Sequence, residues 1–323
     1  MRFLIRRLVH AALLLAVISI VSFALVQLAP GDFFDQMRMN PRVSAQTVEG
    51  LRSEYGLQRS FPARYGLWLR SALRGEFGIS LAYNTPVGRL LLPRARNTLL
   101  LTGTATVLAW LLAIPIGVWS ATKRRNLSRR SSDLATSTLL TIPDLLLFLC
   151  VLLFAVRSGW FPSGGMHSAQ NESRGFFQQV KDVGWHLFLP SLALALATLP
   201  ALIRHVRSAM IEVLDSPFIR AARGHGIPHS RLLFRFALPV AANPLISLLG
   251  FSVATMLSSS LLLEVILSWP GLGPLLVEAT LNKDVYVVVG TVMLSALFLI
   301  AGNLLADLLL FAADPRIRTE LTR

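Results

Sequence analysis

The sequence is poor in several things at once. It has a single cysteine, Cys150, in 323 residues, which removes disulfide frameworks and thiolate metal clusters from consideration. Charged residues make up 15% of the chain and acids number 17, too few for the surface of an ordinary soluble domain of this length. No G-x-x-x-x-G-K-[ST] stretch occurs, so the usual phosphate-cradling loop is missing. The loop serines and acids form no nucleophile–base arrangement, and catalysis has no candidate residues. The six histidines are scattered. His225 and His229 are four apart, but Pro228 between them breaks the helix that would stack them as ligands, so no metal or cofactor site is expected. There is no internal repeat and no low-complexity tract.

What the chain has instead is 54% hydrophobic residues, collected in long charge-free runs. Residues 8–31, 97–122, 183–203, 236–263 and 285–306 hold no Asp, Glu, Lys or Arg, and 134–156 holds only Asp144. Each reaches the roughly 20 residues that cross about 30 Å of hydrocarbon as a helix, where every backbone amide finds its partner internally. The expected fold class is all-α, a polytopic membrane protein with six transmembrane helices. The first run follows Arg2, Arg6 and Arg7 as a secretory signal would, but it is too long and Gln27-Leu28-Ala29-Pro30 is no small-x-small cleavage site.

The net charge of +14 sits in the loops, which points to membrane orientation rather than nucleic acid. Short loops rich in Lys and Arg stay cytoplasmic. The N-terminus, the 122–133 loop with Lys123, Arg124, Arg125, Arg129 and Arg130, the 204–235 loop with six arginines, and the tail with Arg316, Arg318 and Arg323 are all of this kind. Residues 157–182 hold three basic groups and 264–284 only Lys283. Both termini are therefore expected in the cytoplasm.

Residues 32–96 carry ten arginines, but a segment beyond about 60 residues translocates largely regardless of charge. Val48, Leu51 and Tyr55 fall on one helical face ending at Gly56, and Phe61, Tyr65, Trp68 and Ala72 on another ending at Gly75. This reads as a small helical periplasmic insertion lying on the outer face of the membrane.

The stretch Arg220–Pro239 is the most unusual. Ser216-Pro217 is a helix start with a capping hydroxyl, and Gly224 or Gly226 offers a left-handed stop. Pro228 starts a second helix with Leu232, Leu233 and Phe236 on one side and Arg231 and Arg235 on another, ended by Pro239 at the membrane. A generic basic amphipathic loop of this kind rests on anionic lipid. Here the spacing Arg220-Ala221-Ala222, three residues, Gly226, nine residues, Phe236-x-Leu238-Pro239 resembles the signature E-A-A, three, G, nine, I-x-L-P of membrane subunits of binding-protein-dependent ABC importers. Arg220 stands where that pattern has Glu, and Phe236 where it has Ile.

The likeness runs nearly end to end and is narrower than that signature. Arg6-Arg7-Leu8, Pro30-Gly31-Asp32, Tyr55-Gly56-Leu57, Gly75-Glu76-Phe77-Gly78-Ile79-Ser80, Arg94 with Thr98-Leu99, Glu264 with Ser268-Trp269-Pro270-Gly271-Leu272-Gly273, and Asp314-Pro315-Arg316-Ile317-Arg318 are similar in order and spacing to the B-type permease subunits of the dipeptide, oligopeptide and nickel branch. Taken alone, Trp-Pro-Gly is an ordinary membrane-edge turn with a Trp anchor.

The resemblance implies an ABC type I importer permease fold in the bacterial cytoplasmic (inner) membrane. It divides the chain into an N-terminal transmembrane helix (1–30), the insertion (31–96), a five-helix core (97–311) containing the cytoplasmic coupling segment 204–239, and a cytoplasmic tail (312–323). The implied partners are ATP-binding cassette ATPase subunits, a second homologous permease, a periplasmic or lipid-anchored substrate-binding protein, and a di- or oligopeptide substrate. Nickel chelates, glutathione and peptide antibiotics are alternative cargoes within the branch. The implied coupling residues are Phe218, Ile219, Arg220, Ala221, Ala222, Arg223, Gly226, Leu238 and Pro239, with Phe218, Ile219 and the leucines as apolar anchors; Arg220 in place of Glu calls for a compensating acid on the ATPase or for no contact at that point.

One further residue stands out. Asp144, after Pro143, is an acid deep within an expected span, and desolvation makes such carboxylates costly unless they serve a purpose; it is the candidate for the translocation pathway, the alternative being a residue near the span's edge reached by water. Small residues in the middle spans, Gly103, Ala105, Ala195, Ala197, Ser247, Gly250 and Ser252, give either close packing or room for solute. An ion-coupled secondary transporter is the rival from another class; it predicts inverted repeats and more buried charge. A membrane enzyme predicts a cluster of ionisable residues at one depth.

Overall fold

The computed structural model describes residues 2–28, 31, 33–38, 44–54, 60–122, 138, 140–168 and 175–313. In chain order its helices are α1 (Arg2–Leu28), α2 (Phe33–Arg38), α3 (Ala45–Glu54), α4 (Phe61–Ala72), α5 (Val87–Thr122), α6 (Asp144–Ser158), α7 (Phe176–Leu214), α8 (Pro217–Gly224), α9 (His229–Ile266), α10 (Leu272–Leu281) and α11 (Val285–Ala313). Among the described residues the one β pairing is an isolated antiparallel bridge between Ile79 and Pro86. The all-α expectation holds.

Five of these helices, α1, α5, α7, α9 and α11, are long and apolar enough to cross a membrane. The remaining expected span, 134–156, divides at Pro143. That residue takes an extended backbone (φ −59°, ψ 140°) and acts as the N-cap of α6, because a proline offers no amide to the turn before it and crowds that turn's carbonyl. Beyond it, α6 has 15 residues, about 22 Å of helix and short of the roughly 30 Å of hydrocarbon. The described residues thus hold five full-length spans, with the shorter α6 at the place of the sixth expected one. Residues 123–137 and 139, with the basic loop, lie outside the described residues, as do Pro30, Asp32, Tyr55, Gly56, Leu57 and the 314–318 stretch.

The described helices gather into two compact units. One comprises 99–269 and 299 onward. Its core is built on a row of mostly small side chains: Leu101, Ala105, Ala109 and Ala113 repeat every four residues along α5 and are fully buried, so they lie on one helical face. Gly117 continues the row, and a Cβ there would sit 2.6 Å from the Cβ of Val206 on α7. A bare backbone at this point brings two helices into van der Waals contact, which is how helices associate where lipid supplies no hydrophobic contrast. Ala105, Ala195, Gly250 and Ser252 are buried in this packing, whereas nothing lies within 4 Å of a Cβ at Gly103 and Ser247 is exposed. Most of the small residues named from sequence therefore close helix contacts rather than make room.

The other unit comprises 1–98 and 270–298. Phe23 of α1, Trp68 of α4 and Val289 of α11 form its buried centre, with Phe61 and Tyr65 packed around it. The Phe23 ring meets those of Phe61 and Tyr65 edge-on at 5.9 and 5.7 Å, and the Tyr65 hydroxyl shares a 2.8 Å hydrogen bond with Ser19. The aromatic spacing in 61–72 thus marks the face of α4 that packs on α1. Further along, Asn97 Nδ2 donates to the Pro270 carbonyl at 2.8 Å and the Leu272 amide donates to Thr98 Oγ1 at 2.9 Å, fixing the start of α10. Trp269 is fully buried; the Trp-Pro-Gly turn is not an interfacial anchor, because its ring joins the core of the first unit.

Candidate functional site

The basic segment after α7 is built by a succession of backbone devices. The last turn of α7 closes when the Asp215 amide donates to the Ile211 carbonyl. Ser216 is extended (φ −69°, ψ 151°) and occupies the N-cap position of α8. Its hydroxyl donates backwards to the Val213 carbonyl at 2.5 Å instead of capping α8, a correction to the capping role expected from sequence. The competing acceptor is an orphan carbonyl of the last turn of α7, which needs a donor as much as the new helix needs an acceptor. Pro217 comes next, at a position where the missing amide costs nothing.

Helix α8 ends in a Schellman arrangement. Gly226 has φ +75°, its amide donates to the Arg223 carbonyl at 3.0 Å, and the Ile227 amide reaches back to the Ala222 carbonyl at 3.3 Å. Of the two glycines proposed from sequence, Gly226 makes the left-handed stop and Gly224 remains helical. No atom lies within 4 Å of a Cβ at Gly226, so the demand for glycine here comes from the backbone angle and not from space. Pro228 then caps α9, and the Leu232 amide donates to its carbonyl at 3.0 Å.

Pro239 does not end the second helix. Helix α9 runs unbroken from His229 to Ile266, and residues Leu232–Ala237 widen into a π-helical turn. There the Leu238 amide donates five residues back, to Leu233. The cause is steric: the Pro239 ring crowds the carbonyl four residues earlier, and one wide turn moves that carbonyl aside without breaking the helix.

Burial divides the segment into two faces. Ile219 is fully buried and joins Leu232, Leu233, Val206 and Met210 in the core of the unit, with Ala222, Ile227, Phe236 and Leu238 packed against it. Ile219 and Ala222 are three apart and share the inward side. Burying the Ile219 side chain contributes about 1.5–3 kcal/mol, which ties α8 firmly to its own chain. Ile219 and the leucines are therefore internal anchors, not the partner-facing ones expected from sequence. The outward face presents Phe218, 45% exposed, and Phe234, 64% exposed. Around them Arg220, Ala221, Arg223, His225, Gly226, His229, Arg231, Arg235 and Pro239 are all exposed. No Asp or Glu occurs from Ser216 to Leu263, and among the described residues no acid pairs with these arginines. The corner is a cationic knob around two aromatic rings.

Asp144 stands apart from this corner. It is the first residue of α6, half-buried, and one carboxylate oxygen accepts a 2.7 Å hydrogen bond from Ser259 Oγ on α9.

Sequence reasoning missed a second constellation. In the unit containing the insertion, Asp284 is fully buried and accepts from Ser80 Oγ at 2.6 Å, the Ala82 amide at 3.1 Å and the Val287 amide at 3.4 Å. The last of these is an N-cap on α11. Next to it the Tyr83 hydroxyl donates to Glu278 on α10 at 2.5 Å. That bond, followed by partial burial and the Glu278 charge, holds the Tyr83 phenol above its usual value of 10.0. An acid immediately before an apolar run signals the cap; nothing in the spacing signals Ser80, which is 204 residues away.

Comparisons with known proteins bear on the whole chain. Residues 113–319 match the family described as "Binding-protein-dependent transport system inner membrane component", and residues 1–98 match its N-terminal companion. The chain is 35% identical over 319 residues to the oligopeptide transport system permease protein AppB of Bacillus subtilis, covering 98% of both chains. It is 30% identical over 324 residues to the oligopeptide transport system permease protein OppB of Mycobacterium bovis, covering 99% of both. Among solved structures it resembles a chain of the MetNI methionine ABC transporter in an inward-facing conformation. The TM-score is 0.57 at 18% identity, over 70% of this chain and 96% of that one.

Proposed function

The chain belongs to the family of binding-protein-dependent transport system inner membrane components, and from that premise we propose that it is the peptide-conducting membrane subunit of an ATP-driven importer whose motor grips the α8–α9 corner. It is a multi-pass ABC permease, and its oligopeptide-permease relatives, similar over nearly their full length, support peptides as cargo. With a second permease it forms a path that opens alternately to either side, a rigid-body transition between two states. The ATPase is a separate polypeptide, and an external binding protein delivers the peptide. Both termini and the α8–α9 corner face the cytoplasm, where Arg- and Lys-rich loops are retained.

The observation that carries this reading is the two-faced corner. Ile219, Leu232 and Leu233 fasten it inside the permease core, while Phe218, Arg220, Ala221, Arg223 and the Gly226 turn stand outside it. A displacement applied to the exposed face is thus passed to α7 and α9 through packed side chains. The test is site-directed cross-linking. With Cys150→Ser as background, Ala221→Cys should cross-link to the ATPase subunit in assembled complexes, in a nucleotide-dependent way. Labelling of the same cysteine by a membrane-impermeant reagent added outside intact cells would reverse the topology and end the proposal.

A further inference from the structure

Asp144 carries a carboxylate into the membrane domain, and among the described residues its one side-chain partner is the neutral Ser259 hydroxyl. A helical ruler gives its depth. Asp144 lies thirteen residues before the exposed Arg157 on α6, about 20 Å at 1.5 Å per residue. The carboxylate is thus well below the nearest charged residue that follows it on its own helix. The carboxylate is only half-buried. A charge exposed to lipid at that depth is expensive, so an accessible side here calls for water or a polar ligand.

The surroundings define the ligand that would suit it. Among the described residues, Ser259 occupies one carboxylate oxygen and leaves the other open. One turn earlier on α9, Thr255 Oγ1 donates its proton to the backbone carbonyls of Ser252 and Phe251 at 2.9 and 3.3 Å, so its lone pairs are left to accept, and Ser258 beside it is exposed. Acceptors thus outnumber donors. One carboxylate and a few hydroxyls are too few oxygens for calcium or magnesium. A guanidinium is best met by two free carboxylate oxygens, and here one is already taken. A primary ammonium, a compact charge with several donors, fits a single free carboxylate oxygen.

We infer that Asp144, positioned by Ser259, receives the N-terminal ammonium group of a peptide on its way through the membrane domain. The inference rests on the reading of the chain as a peptide permease subunit. The rival is a purely structural role, in which the Asp144–Ser259 bond does no more than tie α6 to α9.

The experiment measures uptake of a tripeptide with a free amine and of its N-acetyl derivative by the complete transporter, each at a concentration that gives a measurable wild-type rate. Asp144→Asn keeps the shape and the Ser259 bond but removes the charge. The preference of the external binding protein cancels when variant and wild type are compared for each peptide separately. The expected result is that Asp144→Asn depresses free-amine uptake at least tenfold more than acetyl-peptide uptake, whereas Ser259→Ala, which keeps the charge, preserves the preference. An equal loss for both peptides in Asp144→Asn, or no loss for either, overturns the inference. Wild-type transporter that carries neither peptide at any concentration rejects the peptide-permease reading itself, and the role of Asp144 with it.

Discussion

The insertion and the basic corner are built alike and finished differently. Each is a short helix fastened by buried apolar residues and succeeded by a glycine in the left-handed region: Trp68 on α4 with Gly78 at φ +96°, and Ile219 on α8 with Gly226 at φ +75°. After that they diverge. The insertion's loop closes on its own chain, with the Asp284 carboxylate taking up a hydroxyl and two amides, and Tyr83 bonded to Glu278. The corner leaves four arginines exposed with no acid between Ser216 and Leu263. Buried polar groups are satisfied within a fold because leaving them unmet is costly. A surface that collects like charge around two exposed rings has its complement elsewhere. The first region is completed by the fold, whereas the second leaves its charge unmatched among the described residues, as the proposed grip of a motor on this corner requires.

The comparison breaks most visibly if the corner's charges are reversed. Arg220→Glu with Arg223→Glu alters two exposed side chains, so folding and membrane insertion stay as in the wild type, while peptide uptake falls by more than tenfold, the loss expected when close interfacial charges are inverted. Uptake measured beside the thermal stability of the purified subunit checks both halves. Unchanged uptake would mean that the knob meets lipid or nothing. Asp284→Ala should do the opposite. It strands Ser80 Oγ and the Ala82 and Val287 amides, and each lost charged hydrogen bond costs about 1.5–3 kcal/mol. Hydrogen exchange of residues 79–86 should quicken by roughly tenfold or more within the assembled complex, where about 1.4 kcal/mol corresponds to a factor of ten. A corner whose exchange quickened as much as the insertion's would erase the distinction.

How much of the fold and of the corner was legible in the sequence depends on the range of each interaction. Charge-free runs reveal the spans because solvent acts on every residue of a run alike, and five of the six expected spans are full-length helices. The turn at Gly226 was legible because its cause is local, one backbone angle. The break at Pro143 and the uninterrupted passage through Pro239 were not. Pro143 follows the β-branched Thr141 and Ile142, poor helix formers, whereas the turn before Pro239 stays helical by widening into a π-turn over Leu232–Ala237. The inward turning of Ile219 and the burial of Trp269 were hidden for another reason: each is decided by residues remote in the chain. The Ser80–Asp284 bond is the extreme case, joining residues 204 apart.

A smaller effect is expected at the glycine that ends α8. In Gly226→Ala the left-handed angle must be held by a residue with a Cβ, at a cost of about 1–2 kcal/mol, with no steric clash to add because the space around it is open. The end of α8 should fray, seen as faster hydrogen exchange of the amides at His225–Ile227, while Ile219 keeps the helix docked. Uptake should fall several-fold without being abolished. A wild-type exchange rate would show that the turn is soft and that the corner does not act as a rigid handle.

The smallest expected effect sharpens the other side of the comparison. Tyr83→Phe deletes the hydroxyl that donates to Glu278. Tyr83 is largely exposed, so the loss should be slight, below the roughly 0.5–1.5 kcal/mol typical of a hydrogen bond in a folded protein. Its signature is in pH. The folded-state phenol is raised above 10.0, first by the Glu278 hydrogen bond and then by burial, so the protonated form is the one the fold prefers. The contribution is therefore complete below about pH 10 and is lost as pH rises through the raised folded value, because the unfolded chain releases its proton first. Protection of residues 79–86 in the wild type should decline faster above about pH 10 than in Tyr83→Phe, after correction for the intrinsic exchange rate. The corner offers a built-in control, since it has no tyrosine and its protection should take the same pH course in both proteins. Parallel pH curves for 79–86 in the two proteins would show that the Tyr83–Glu278 bond adds nothing to the closure of the insertion, leaving Asp284 to hold it alone.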